Sequence, residues 1–216
     1  GWMPKEMNNV YERNGNFSPN GNYAVRIGCD PFKYDKTKDN RKSDCAAYAY
    51  QTEDGLDAES PYNDMFVLKY VDRAATTDIQ YEHILKMAWF CGCQVLFERN
   101  VDGWNKYFRV ERCAGFLMWM PNEVEAGIYT DGKGNTVQMI CDFTESYIMK
   151  NIRKVYFASL IDIKSGWLGF QVEDTQKYDE AMASGFALIA AKAKKYTIKS
   201  EEKRNIESIM PYNRAV

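Results

Sequence analysis

Along its first third the chain sets compact apolar runs between polar stretches; after that the apolar positions fall at helical spacing. Tyr23–Asp30 holds the run Ala24-Val25-Arg26-Ile27-Gly28-Cys29, which suits a buried strand. Asp44–Gln51, with Cys-Ala-Ala-Tyr-Ala-Tyr at its centre, predicts a second strand, and Met65–Val71 a third. The connections 31–43 and 52–64 are polar and carry no helix, so the three strands are expected to form an antiparallel meander. From Thr76 to Gly92, residues Ile79, Ile84, Leu85, Ala88 and Trp89 recur at helical spacing. Thr76 or Thr77 can cap this helix, Asp78 suits its first turn and Gly92 its exit.

Cys93–Glu98 then predicts a fourth strand, 102–114 a helix, and Phe116–Met120 a fifth strand stopped by Pro121. Strand–helix–strand–helix–strand implies parallel crossovers. Gly127 to Asn135 can form a hairpin turning at Asp131-Gly132. Residues 137–163 are expected to be mostly helical, Trp167–Val172 a short strand or turn, and Thr175–Tyr196 a long helix. Residues 1–22 are polar and aperiodic and are expected to be an arm or interdomain linker. The ordered domain is expected over 23–196, with a charged tail at 197–216. This element order is that of an α/β, RNase H-like fold with a five-stranded mixed central sheet, three strands antiparallel and two parallel, flanked by helices.

Composition narrows the function classes. Of 216 residues, 45% are hydrophobic and 14% aromatic, enough for a sizeable core. The formal net charge of -2 means that any nucleic-acid role must rest on local patches. No apolar run is long enough for a membrane span, and no membrane partner is expected. The cysteines at 29, 45, 91, 93, 113 and 141 form no CxxC pair, and His83 is the single histidine, so zinc ligation is not expected. Free, buried thiols in a reducing compartment explain the cysteines better.

Three carboxylates carry the candidate chemistry. Asp30 ends the first strand and Glu98 the fourth; in this element order the two strands are parallel neighbours. Asp179, Met182, Phe186, Ile189 and Ala193 follow at steps of three or four, so Asp179 lies on the inward stripe of the last helix. Glu180 is turned about 100° away and could supplement it. Each acid also has a plain structural explanation: a turn acid before Pro31, a strand end paired with Arg99 or a helix lysine, and a residue complementing a helix dipole. Together they form a negative cluster that is costly unless cations neutralise it, and hard divalent cations with oxygen ligands are the natural candidates. The expected chemistry is two-metal phosphodiester hydrolysis with Mg²⁺ or Mn²⁺, Asp30 bridging the ions and Glu98, Asp179 and Glu180 as further ligands.

These residues resemble the nuclease domain of the large terminase subunit of tailed bacteriophages. Ile27-Gly28-Cys29-Asp30-Pro31 resembles its first acidic motif, and Val95-Leu96-Phe97-Glu98-Arg99-Asn100 its second, a strand ending in Glu closely followed by Asn. Tyr178-Asp179-Glu180-Ala181-Met182-Ala183 resembles its third, and Ala126-Gly127-Ile128-Tyr129-Thr130 its Gly- and Thr-containing stretch. The resemblance implies an endonuclease that cuts concatemeric double-stranded DNA during genome packaging, in the cytoplasm of the bacterial host. It also implies an ATPase motor domain, the phage portal and the small terminase as partners. No GxxxxGK[ST] loop occurs here, so the motor is expected outside this chain.

One departure from the family pattern is the long basic loop 31–43, whose Lys36, Lys38, Arg41 and Lys42 are candidate contacts to the DNA backbone. Trp104, Tyr107 and Phe108 are expected to pack against the sheet rather than stack on bases. Two other functions remain open from sequence. A junction resolvase of the RuvC type would act on branched DNA as a dimer. A catalytically silent RNase H-like module would bind DNA or a portal without cleaving.

Overall fold

The computed structural model describes residues 10–20, 24–32, 44–52, 61–101, 103–121, 123–130 and 135–197. Lys36, Lys38, Arg41 and Lys42, the Asp131-Gly132 turn and the tail after Thr197 lie outside the described residues.

Within the stretch expected to be an arm or linker, the described residues include a hairpin. Strands β1 (Val10–Arg13) and β2 (Asn16–Pro19) pair antiparallel around Asn14-Gly15. Both turn residues have positive φ, 54° and 73°, the backbone that a two-residue hairpin turn requires. The hairpin is fastened to the domain, since the Phe17 amide donates to the Arg112 carbonyl at 2.7 Å and the Phe17 ring lies 5.1 Å from Trp89.

Strands β3 (Val25–Asp30), β4 (Cys45–Gln51) and β5 (Met65–Asp72) form the expected meander. Helix α1 (Thr77–Cys91) follows, its N-cap Thr76 side chain accepting from the Ile79 amide and Gly92 closing it at φ 62°. Strand β6 (Val95–Phe97) pairs parallel to β3, giving a mixed sheet of order β5-β4-β3-β6. Helix α2 is Trp104–Val110, α3 Thr136–Asn151 and α4 Asp179–Thr197. Among the described residues no helix is long and apolar enough to cross a membrane.

The expected fifth strand is replaced by two short pieces. Ala114–Phe116 is a 3₁₀ turn, after which Leu117 bridges Val95 and, past an excursion containing Pro121, Ile128 bridges Glu98, both in parallel. Pro121 has no amide hydrogen for a ladder, and the chain leaves β6 around it before returning. The helix expected to run to 163 stops at Asn151, whose buried side chain turns to donate to the Asp64 carboxylate; 3₁₀ turns follow. The 167–172 stretch is likewise a 3₁₀ turn at Trp167–Gly169.

Alternation along the strands sorts residues to two faces. Ile27, Cys29, Cys45, Ala47, Ala49, Val95 and Phe97 pack with α1 and α2. Trp104 and Phe108 stack within that layer, as expected of packing residues. Ala46, Tyr48, Tyr50 and Leu96 face α4 and α3. The two sides come closest at Gly28, where a Cβ would sit 2.1 Å from the Ala187 backbone nitrogen. The missing side chain therefore lets α4 lie directly on the central strand. All six cysteines are free and five are buried.

Candidate active site

Asp30 is two residues beyond Gly28, and Glu98 two beyond Leu96. The same alternation turns both carboxylates to the face that α4 covers. Parallel register brings them level: Cys29 pairs with Phe97, and the Glu98 amide donates to the Cys29 carbonyl at 3.2 Å. Asp179 is the first residue of α4, and its Oδ2 accepts from the Asp44 amide, at the entry to β4, at 2.8 Å. The C-terminal end of β3, the end of β6 and the start of α4 thus deliver the three sequence-predicted acids to one end of the sheet.

Asp30 lies within the electrostatic reach of both other acids. Asp30 is buried, and its pKa is raised well above the usual carboxylate range. Burial is the main cause, followed by the charges of Glu98 and Asp179 and a hydrogen bond shared with Glu98. Among the described residues, none of these influences favours the Asp30 anion. Among the described residues, no three His, Cys, Asp or Glu side chains are yet arranged as a ready-made ion cage.

Glu98 is supported from its far side. Its Oε1 accepts from Asn100 Nδ2 at 3.1 Å and from the Thr130 hydroxyl. Arg99 is not its ion-pair partner; that guanidinium bridges Glu123 at 2.7 Å and lies 4.0 Å from the Tyr129 ring.

Glu180, expected as a supplementary ligand, is engaged elsewhere. Its Oε2 pairs with Lys69 Nζ at 2.7 Å and accepts from the Ser159 hydroxyl at 2.7 Å and from the Tyr48 hydroxyl. Burial opposes its charge, but the hydrogen bonds from Lys69, Ser159 and Tyr48 outweigh burial and hold its pKa below the usual value. Sequence spacing did not reveal this hub because its members come from β4, β5, a 3₁₀ turn and α4. Asn100 and Thr130 were visible as motif residues, but their joint grip on Glu98 was not.

No protein-family model matches the chain, and no curated protein is detectably similar to it in sequence.

Proposed function

We propose that this chain is a divalent-metal-dependent endodeoxyribonuclease with an RNase H-like fold, of the kind found as the nuclease domain of the terminase large subunit of tailed bacteriophages. The observation that carries the reading is the buried Asp30 at the end of the central strand, level with Glu98, its carboxyl pushed well above the usual range by burial and by the charges of Glu98 and Asp179. The parallel pairing of β3 with β6 and the antiparallel meander on the other side of β3 support the fold assignment.

The donor set fits hard cations: three oxygen ligands of like charge, one deeply buried, at the rim of a sheet. Bound Mg²⁺ or Mn²⁺ would acidify an attacking water and stabilise the leaving 3′ oxygen. Asp30, on the central strand, would hold the metal together with Glu98 and Asp179. Glu98 and Asp179 flank it, each fixed by hydrogen bonds to neighbouring protein groups. Glu180, neutralised by Lys69, anchors the start of α4 to β4 and β5. Double-stranded DNA is the proposed substrate, and the bacterial host cytoplasm the proposed setting. An ATPase motor domain, the portal and the small terminase are the proposed partners. Because the free carboxylates repel one another, metal occupancy is expected to be weak until DNA phosphate oxygens join the site.

The test is plasmid cleavage with Mn²⁺, Mg²⁺, Ca²⁺ or EDTA, with Asp30→Asn alongside. Cleavage with Mn²⁺ or Mg²⁺ that disappears in Asp30→Asn supports the reading. A folded protein that binds DNA but cuts it under no metal overturns it in favour of a silent binding module. Selective cutting of branched DNA by a dimer would instead favour the resolvase.

A further inference from the structure

We infer that Asn100 and Thr130 are positioning residues that saturate one oxygen of Glu98 and leave only Oε2 for a metal ion, an inference that rests on the nuclease reading above. The three side chains close a triangle: Asn100 Nδ2 donates to Glu98 Oε1 at 3.1 Å and to Thr130 Oγ1 at 3.0 Å, and the Thr130 hydroxyl donates to the same Oε1. Both amide hydrogens of Asn100 and the hydroxyl hydrogen of Thr130 are thereby used, and Oε1 receives two donors, its full complement. A carboxylate held in this way can offer a single oxygen, so Glu98 would hold a metal ion through Oε2 alone.

The arrangement counters a specific force. Glu98 ends a strand beside two other acids, and without the triangle their repulsion would turn its flexible side chain outward. Thr130 also arrives on a separately fastened segment. The Ile128 amide donates to the Phe97 carbonyl at 2.9 Å, the Arg99 amide donates to the Ile128 carbonyl at 2.8 Å, and Arg99 Nη1 donates to the Glu125 carbonyl at 3.2 Å. Gly127, at φ 89°, has no room for a side chain, since a Cβ would meet the Phe97 carbonyl oxygen at 2.9 Å. Removing the Thr130 hydroxyl therefore leaves the segment docked and isolates its effect on Glu98.

The test measures Mn²⁺ binding to the full chain by electron paramagnetic resonance, with and without duplex DNA, in wild type, Thr130→Val, Thr130→Ser and Asn100→Ala. Loss of a partner that orients a ligand typically weakens metal binding by about 10–100-fold. That drop is expected in Thr130→Val and Asn100→Ala, with metal-free melting temperatures unchanged and Thr130→Ser close to wild type. In cleavage assays the Mn²⁺ concentration for half-maximal rate should rise in step. Wild-type Mn²⁺ affinity in a folded Thr130→Val would overturn the positioning role alone. Absence of Mn²⁺ binding by wild type, with duplex present, would overturn the nuclease reading and this inference with it.

Discussion

Asp179 and Glu180 are neighbours in the chain and open the same helix, yet they belong to opposite electrostatic regions. Glu180 sits in a neutralised hub, where Lys69 supplies the counter-charge and two hydroxyls satisfy its oxygen. Asp179 sits at the rim with Asp30 and Glu98, where burial and the charges of the other two acids push the Asp30 carboxyl well above its usual range. A fold can bury an acid cheaply by pairing it, as it does one residue away. A buried acid raised by neighbouring like charges, as Asp30 is, marks a place where something from outside is expected to complete the balance.

The widest separation between the two regions should appear in activity. Asp179→Asn is expected to abolish metal-dependent plasmid cleavage, whereas Glu180→Gln should leave the rate per folded molecule within about tenfold, since its side chain is a support and not a ligand. Equal losses in both variants would merge the regions and restore Glu180 as a ligand.

Stability should order them the other way. Lys69→Met strands a half-buried carboxylate, and breaking such a pair is expected to cost about 2–4 kcal/mol in urea denaturation, somewhat below the loss for a fully buried pair because both side chains retain some exposure. A loss under about 0.5 kcal/mol would reduce the hub to an ordinary surface pair. Mn²⁺ supplies a matching test of the rim. At a hundredfold excess over its dissociation constant, an ion that binds only the folded chain adds about 2.7 kcal/mol. Wild type and Glu180→Gln should gain this, and Asp30→Asn should not.

The smallest effect is the pH dependence, where the two regions differ in sign. Asp30 has a raised folded pKa, so the native state binds its proton more tightly than the unfolded chain does. Its contribution to stability is fully present below the unfolded value, about 3.9, and is lost as pH rises through the folded one. Asp30→Asn should therefore be more stable than wild type at pH 8, with the gap closing toward pH 4. Glu180 has a lowered folded pKa, so its contribution is present above about 4.3 and is lost on acidification through the folded value. Glu180→Gln should be less stable than wild type at neutral pH, and that gap too should close in acid. Melting curves across this range that show the same sign for both variants would break the comparison.

Much of the scaffold was legible because local signals agreed. Thr76 and Gly92 bounded α1 as a cap and an exit should, and the apolar runs at 25–30, 45–51 and 65–72 paired as a meander. Where reading failed, a competing local signal had been passed over or a distant contact intervened. Asn14-Gly15 is a hairpin dipeptide inside a stretch that composition marked as polar. The fifth strand dissolved into bridges around Pro121, and α3 ended where Asn151 found Asp64.

Sequence alone determined the three acids at element ends and the stripe that puts Asp179 on the inner face of α4, because strand and helix periodicity decide facing from spacing. Only the tertiary structure decided which acids would share an environment. Glu180 lies next to Asp179 in sequence but finds Lys69, Ser159 and Tyr48, while Glu98 is held by a threonine brought back along β6 by Arg99 and Gly127. The reason is physical: facing follows from backbone geometry within one element, but the charge state of a carboxylate depends on partners from several elements, and no local spacing encodes their meeting.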